Sequence, residues 1–93
     1  MNDDIKVMLQ IYGDNGIDWL GYSYNDTSEL TRHHIVKKQY NGQDDINNYA
    51  LLTHTSHMFL HYMEEKYNKE YTYLNSRFLE LNRSQKPPTI EYY

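Results

Sequence analysis

The chain has 93 residues, a formal net charge of −4 and 11 tyrosines. This length allows one domain with a modest core, so we expect residues 1–93 to form a single unit. The absence of cysteine excludes disulfides and thiolate metal sites, and neither a membrane span nor a signal peptide is predicted, which favours a cytoplasmic protein.

The acidic charge is concentrated at the start of the chain. Residues 1–31 hold six acidic side chains and one base, whereas residues 32–93 hold eight bases and seven acids. A protein that binds nucleic acid on its own usually carries a strongly basic surface. A function on nucleic acid would therefore require weak binding or a partner that delivers the protein.

The first predicted elements are a helix, a turn and a hairpin. Residues 5–12 have the apolar spacing of a short helix, and "GDNG" at 13–16 is typical of a turn. The segment "IDWLGYSYND" at 17–26 indicates a short apolar hairpin centred on Trp19 and Leu20. The apolar helix positions are Ile5, Met8, Leu9 and Tyr12.

Two strands and two helices are predicted to follow. "LTRHHIVKK" at 30–38 favours an extended segment, "YNGQDD" at 40–45 a loop, and "NNYALLT" at 47–53 a second strand. One helix is expected from about Thr55, where Phe59, Tyr62, Met63 and Tyr67 share a face. A second helix carries the stripe Tyr71, Leu74, Phe78 and Leu81, and Pro87-Pro88 should stop it. We expect an α+β domain with a flexible tail at 87–93.

The five histidines all lie between residues 33 and 61, which suggests a metal site. His57 and His61 are one helical turn apart, so both can bind one ion, with His33 or His34 as a third ligand. Neighbouring side chains on a strand point to opposite faces, so the other member of the doublet is left to act as a general base. Asn48 is a candidate to hold the ring of that base, and His54 is expected at the surface.

This order of residues resembles the HNH endonucleases, and among them the colicin-type DNases. The similarity consists of the doublet His33-His34, a glycine-containing loop, Asn48 before a short strand, and His57-xxx-His61. It covers residues 5–83 and implies a ββα-metal finger with a short N-terminal helix and a C-terminal helix. It further implies that His33, His57 and His61 bind metal and that His34 activates water. Asn48 would be the central asparagine of the motif, fixing a strand or the base.

The resemblance also predicts a difference from many HNH proteins. Small phage and bacterial members often carry two Cys-x-x-Cys pairs that bind a structural zinc. In this chain the corresponding positions are Ile17, Leu20, Thr53 and Ser56, none of which is cysteine. We therefore expect a branch without structural zinc, in which Ile17, Trp19 and Leu20 fill that space by apolar packing.

The activity implied by the resemblance is hydrolysis of DNA phosphodiester bonds with one divalent cation. Three imidazoles favour zinc, nickel, cobalt or manganese over magnesium. Phosphate contacts are expected from Arg32, Lys37 and Lys38, with Arg77, Arg83 and Lys86 extending the surface. Because the chain is acidic, binding to duplex DNA should be weak and nearly independent of sequence. The expected enzyme therefore either nicks DNA weakly or is targeted by a protein partner.

Two other functions remain open from the sequence. An HNH-like scaffold could serve as a non-enzymatic interaction module, such as a phage-encoded inhibitor of a host or defence enzyme. The acidity, the many tyrosines and the lost zinc ligands favour that alternative. A purely structural metal site is the third possibility, although it would not require a spare imidazole beside a ligand.

Overall fold

The computed structural model describes residues 3–85, which form three α-helices and a two-stranded antiparallel sheet. Short 3-10 turns at residues 27–29, 38–40 and 46–48 connect these elements. The elements are α1 (Asp3–Tyr12), β1 (Leu30–His34), β2 (Tyr49–Thr53), α2 (His54–Lys66) and α3 (Asn68–Ser84). The α+β class and the order of elements predicted from the sequence are confirmed.

Helix α1 forms where the apolar spacing predicted it. Asp3 and Asp4 lie in its first turn, where negative charge is favourable near the helix N-terminus, and Ile5, Met8 and Tyr12 are buried. Gly13 follows with a positive φ of 91° and its N–H donates to Leu9 O at 2.9 Å, which ends the helix. The chain then continues to the hairpin at residues 17–23.

Residues 17–23 form a small hairpin that covers one edge of the sheet. Ile17 pairs with Ser23 in an isolated antiparallel bridge, and Trp19 at its tip is 2% exposed. Trp19 N–H donates to Leu51 O of β2 at 3.0 Å, so β2 is covered on this edge and paired with β1 on the other. All five residues of β2 are consequently buried.

Strands β1 and β2 place the two members of the histidine doublet differently. In their antiparallel register His33 lies opposite Ala50, and His34 lies opposite Tyr49. His33 is buried, whereas the His34 side chain is 31% exposed. The two neighbouring rings therefore lie in different environments, as expected for successive side chains of a strand.

Helix α2 begins directly after β2, with no intervening loop, so the position of the helix relative to the strand is fixed. Thr53 caps the helix by accepting from Ser56 N–H. Leu60 and Ser56 are its buried residues, whereas Phe59 and Tyr62 are exposed. The aromatic face predicted on this helix therefore lies mainly in solvent.

Helix α3 closes the core along the stripe that the sequence predicted. Tyr71, Phe78 and Leu81 are buried, and Leu74 is partly buried against them. Asn82 adds polar links, because its Nδ2 donates to Tyr49 O at 2.8 Å and its carbonyl accepts from the Tyr12 hydroxyl at 2.7 Å. The helix ends at Ser84.

None of the helices between residues 3 and 85 is long and apolar enough to cross a membrane. The predicted stop at Pro87-Pro88 and the predicted tail at 87–93 lie outside the described residues.

Candidate metal centre

Three histidines from two elements come together beside the sheet. Among the described residues, His33 of β1 and His57 and His61 of α2 offer ligand nitrogens that all lie within 4.8 Å of one another. The ring centroids of His33 and His57 are 5.5 Å apart, and the His57 and His61 rings stack at 4.9 Å. These three residues could bind one metal ion, and they are the three ligands that the resemblance to the HNH endonucleases implied.

His57 is held in one tautomer by Thr31. The Thr31 hydroxyl donates its proton to Leu52 O at 2.9 Å, and the same oxygen lies 2.7 Å from His57 Nδ1. With the hydroxyl proton directed to Leu52 O, Nδ1 of His57 donates to Thr31, because a hydroxyl has a single proton and a carbonyl can only accept. The Nε2 atom of His57 therefore carries a lone pair that is available to a metal.

His33 is fixed in the same way by a residue from α3. Asn75 donates from Nδ2 to Ile35 O, which turns its Oδ1 towards His33 Nε2 at 2.8 Å. Because an amide oxygen can only accept, His33 carries its proton on Nε2 and its lone pair on Nδ1. Helix α3, which lies outside the predicted finger, thus sets which nitrogen of His33 can bind metal.

His61 has an acidic neighbour one helical turn further along. Its Nδ1 lies 3.4 Å from Glu64 Oε1, so the ring donates to the carboxylate and keeps its lone pair on Nε2. Glu64 also forms an ion pair with Lys37. Each of the three imidazoles therefore has a hydrogen-bond acceptor on one ring nitrogen, which leaves the other ring nitrogen basic.

Burial favours the neutral, metal-binding form of two of these rings. Burial, together with the positive charges that His57 and His61 would carry, lowers the pKa of His33 to about 4, although the hydrogen bond to Asn75 acts in the opposite direction. Burial and the neighbouring His61 also lower the pKa of His57. Near neutral pH both rings are unprotonated, so no proton has to be displaced when an ion binds.

The donor set fits a divalent transition metal. Three neutral imidazoles with open positions for water and substrate are the arrangement of catalytic zinc sites. Two bonds of about 2.1 Å span at most about 4.2 Å, so at least one ring must close in on binding. His61, whose side chain is 55% exposed, has the room to do so.

His34 lies in the same cavity but is held by a different residue from the one predicted. Its Nε2 lies 2.9 Å from Asp44 Oδ1, and this carboxylate also accepts from the Tyr49 hydroxyl at 2.7 Å. These hydrogen bonds from Tyr49 and His34, with Lys38 nearby, lower the pKa of Asp44 to about 2. The carboxylate is therefore ionised near neutral pH and can orient the ring of His34, a role that the sequence analysis gave to Asn48.

Asn48 fixes the backbone between the strands. Its Oδ1 accepts from Val36 N–H at 2.8 Å, while its Nδ2 donates to Val36 O at 2.8 Å and Gln43 O at 2.9 Å. Of the two alternatives that the resemblance allowed for this asparagine, the hydrogen bonds match the fixing of a strand. The loop that carries Lys37 and Lys38 is held in place by this amide.

The predicted phosphate contacts line the same cavity as the histidines. This cavity has a volume of about 260 Å³ and is lined by Arg32, His33, His34, Lys37, Lys38, His57, His61 and Tyr71. Each of the three cationic side chains already pairs with a carboxylate. Arg32 pairs with Asp4 at 3.4 Å, Lys38 pairs with Asp44 at 3.7 Å, and Lys37 pairs with Glu64. Arg77, which was expected to extend the surface, pairs with Glu80 on α3 and does not line this cavity.

The positions expected to replace zinc ligands surround a buried carboxylate that the sequence analysis overlooked. Asp18 is 1% exposed, and its Oδ1 accepts from Leu20 N–H at 2.9 Å. Its Oδ2 accepts from Thr53 N–H at 2.8 Å and from the Ser56 hydroxyl. Trp19 packs into the core as expected, but Ile17 and Leu20 are only partly buried. A polar connection therefore adds to the apolar packing that was predicted.

The fold and the site together define a small α+β protein with three histidines placed to hold a metal ion. A scan against models of known families found no match, and searches of curated proteins and of solved structures found none either. The functional argument therefore depends on the chemistry of the site.

Proposed function

We propose that this chain is a metal-dependent HNH endonuclease that hydrolyses DNA, with β1, β2 and α2 as its ββα-metal finger. The supporting observation is the arrangement of four imidazoles around one cavity. His33, His57 and His61 each offer a ring nitrogen within 4.8 Å of the others, and His34 on the same strand lines the cavity without belonging to that cluster. A structural metal site would have no use for the fourth ring.

The residues of the cavity suggest a division of labour. A divalent cation held by His33, His57 and His61 would supply Lewis-acid stabilisation of negative charge on the phosphate. His34 takes a proton from the attacking water, whose oxygen forms a bond to phosphorus as the bond to the 3′ oxygen breaks. His34 Nε2–H donates a hydrogen bond to the Asp44 carboxylate, so Nδ1 is the basic nitrogen of this ring.

The ligand type bears on the choice of metal, and the charge of the cavity bears on the substrate. Three imidazoles favour zinc, nickel or manganese, whereas magnesium prefers oxygen ligands. Arg32, Lys37 and Lys38 supply positive charge at the cavity, but each is partly neutralised by a carboxylate. We therefore propose weak binding of duplex DNA with little sequence preference, and either nicking activity or delivery by a protein partner.

Nicking of supercoiled plasmid tests this function. Wild type should nick in at least one of zinc, nickel, manganese or magnesium, and His34→Ala should lower the rate by about 100-fold or more. His54→Ala is the matched control, because His54 is an exposed histidine that does not line the cavity. Equal activity of His34→Ala and wild type would contradict the assignment of the base.

A second candidate is a non-enzymatic interaction module, such as a phage-encoded inhibitor of a host or defence enzyme. It is favoured by the exposed side of α2, where Met58 is 66%, Phe59 45% and Tyr62 50% exposed. Metal binding without nicking under every metal, together with a loss of partner binding in Phe59→Ser, would support this candidate over the nuclease.

A further inference from the structure

A second cavity adjoins the one that holds the histidines. It has a volume of about 360 Å³ and lies between the turn that follows β1 and the beginning of α3. Lys37 and Tyr71 line both cavities, so these two side chains form the wall between them. Small-molecule sites measure roughly 300–1,000 Å³, and the second cavity therefore has room for one planar ring system.

One rim of this cavity is an aromatic ring on a rigid turn. The Tyr40 side chain lines the cavity and is 68% exposed. Tyr40 N–H and Gly42 N–H both donate to Lys37 O at 2.9 Å, and a Cβ on Gly42 would lie 1.8 Å from Val36 O. Only glycine fits this turn, which Asn48 clamps through Val36. A tyrosine on such a backbone loses little conformational freedom when another ring stacks on it.

Helix α3 contributes three polar side chains to the lining of this cavity. Asn68, Thr72 and Asn75 are spaced at i, i+4 and i+7, so they share one face of the helix, and all three line the cavity. Asn75 is already engaged with His33 and Ile35. The Asn68 Nδ2 has one long contact of 3.4 Å to Glu64 O, and its carboxamide and the hydroxyl of Thr72 can each donate and accept hydrogen bonds, as the edge of a nucleobase does.

We propose that the second cavity binds one unpaired nucleobase of the strand whose phosphate lies at the histidines. This inference rests on the proposed function, and it names the substrate class: single-stranded DNA, or duplex DNA with an unpaired nucleotide. Tyr40 stacks on the base, Asn68 and Thr72 contact its edge, and Lys37 lies between base and phosphate. A base within an intact duplex cannot enter without leaving its stack.

A base-stacking site would also explain how an acidic chain can bind nucleic acid. Attraction to duplex DNA depends on neutralising phosphates, which a protein of net charge −4 does poorly. Stacking of a base on an aromatic side chain needs no net charge and tolerates any sequence. The second cavity therefore supplies affinity of a kind that the charge distribution does not.

Binding of a labelled single strand tests the inference separately from cleavage. The full chain in low salt and EDTA is titrated against a fluorescein-labelled strand of about ten nucleotides, and anisotropy gives Kd. Tyr40→Ala should weaken binding by about 5- to 150-fold, and Thr72→Val should weaken it by a smaller factor. Tyr73→Ala is the control, because Tyr73 is 60% exposed but lines neither cavity. Wild type should bind the same sequence as a duplex more weakly, with no loss in Tyr40→Ala.

Each outcome decides for or against the base site. Equal effects of Tyr40→Ala and Tyr73→Ala, unchanged binding of a strand whose bases are replaced by abasic sites, or no binding of the strand by wild type would overturn it. A strand that is bound through Tyr40 but never cut in any metal leaves the base site standing and refutes the nuclease. If the protein nicks plasmid but Tyr40→Ala binds the strand as wild type does, the nuclease stands and the base site is refuted.

Discussion

The hydroxyl of Thr31 lies 2.7 Å from Nδ1 of His57 and fixes which nitrogen of that ring can bind metal. Thr31 gives its own proton to Leu52 O, so it can serve His57 only as an acceptor. The same logic applies to Asn75 behind His33 and to Glu64 behind His61. The three histidines that could bind a metal ion are therefore oriented by residues from β1, α2 and α3.

Replacing Thr31 should weaken metal binding with little effect on the fold. Thr31→Val keeps the shape and the strand preference of the residue but removes the acceptor for His57 Nδ1, so we expect about 10- to 100-fold lower affinity. Isothermal titration with zinc or cobalt measures it. Thr55→Val, at an exposed threonine of α2, should bind as wild type does. Equal affinity in Thr31→Val would show that the hydroxyl does not orient the ligand.

Two substitutions of Asn75 should differ in stability. Asn75→Leu leaves the buried Nε2–H of His33 without an acceptor, which costs about 1–3 kcal/mol. Asn75→Asp keeps an acceptor for His33, although both variants lose the donation to Ile35 O. Urea unfolding in EDTA should therefore rank wild type above Asn75→Asp and Asn75→Asp above Asn75→Leu. Equal stability of Asn75→Leu and wild type would contradict the proposed tautomer of His33.

The metal-free protein should lose stability as the pH falls below neutrality. The pKa of His33 is lowered to about 4 in the folded state and is about 6.5 when unfolded, so the unfolded state binds the proton first. Between pH 7 and pH 5 this linkage removes about 2 kcal/mol, a window above the range in which the carboxylates titrate. Urea unfolding in EDTA at several pH values measures the slope. His33→Gln should flatten the slope, and an unchanged slope would contradict the burial of a neutral imidazole.

The buried carboxylate of Asp18 should be essential to the fold. Asp18→Asn places an NH₂ group where one of its oxygens accepts from N–H or O–H donors, so we expect about 2–4 kcal/mol of destabilisation. Thermal unfolding measures it. Asp26→Asn is a matched control, because asparagine caps a helical turn about as well as aspartate does. A wild-type melting temperature for Asp18→Asn would show that the carboxylate is dispensable.

The elements and the metal ligands could be predicted because their signals are local. The spacing of His57 and His61 defines one face of a helix, and strand alternation separates His33 from His34, so neither depends on distant contacts. Glu64 could have been found as well, because it lies one turn beyond His61 on the same helix. Periodicity left the choice between His33 and His34 open, and the resemblance to the HNH endonucleases selected His33.

The supporting residues could not be predicted, because they act across long separations in sequence. Asn75 lies 42 residues from His33, and Asp18 lies 38 residues from Ser56. Nothing near either residue in the chain marks it for these contacts. The role of Asp44 was missed because a carboxylate in a turn is ordinarily solvated, and only the closure of the loop brings it to His34. The hydrogen-bond partners of these three residues are set by tertiary packing and not by local sequence.

The most direct test of the central claim is a titration of the metal-free protein with cobalt, followed by its visible absorption. The account predicts one ion per chain with the intense bands of a four-coordinate site, lost in His57→Ala and kept in His54→Ala. The two variants remove histidines from the same helix, and only the first belongs to the cluster. No saturable binding in wild type, or equal binding in His57→Ala, would contradict the three-histidine centre.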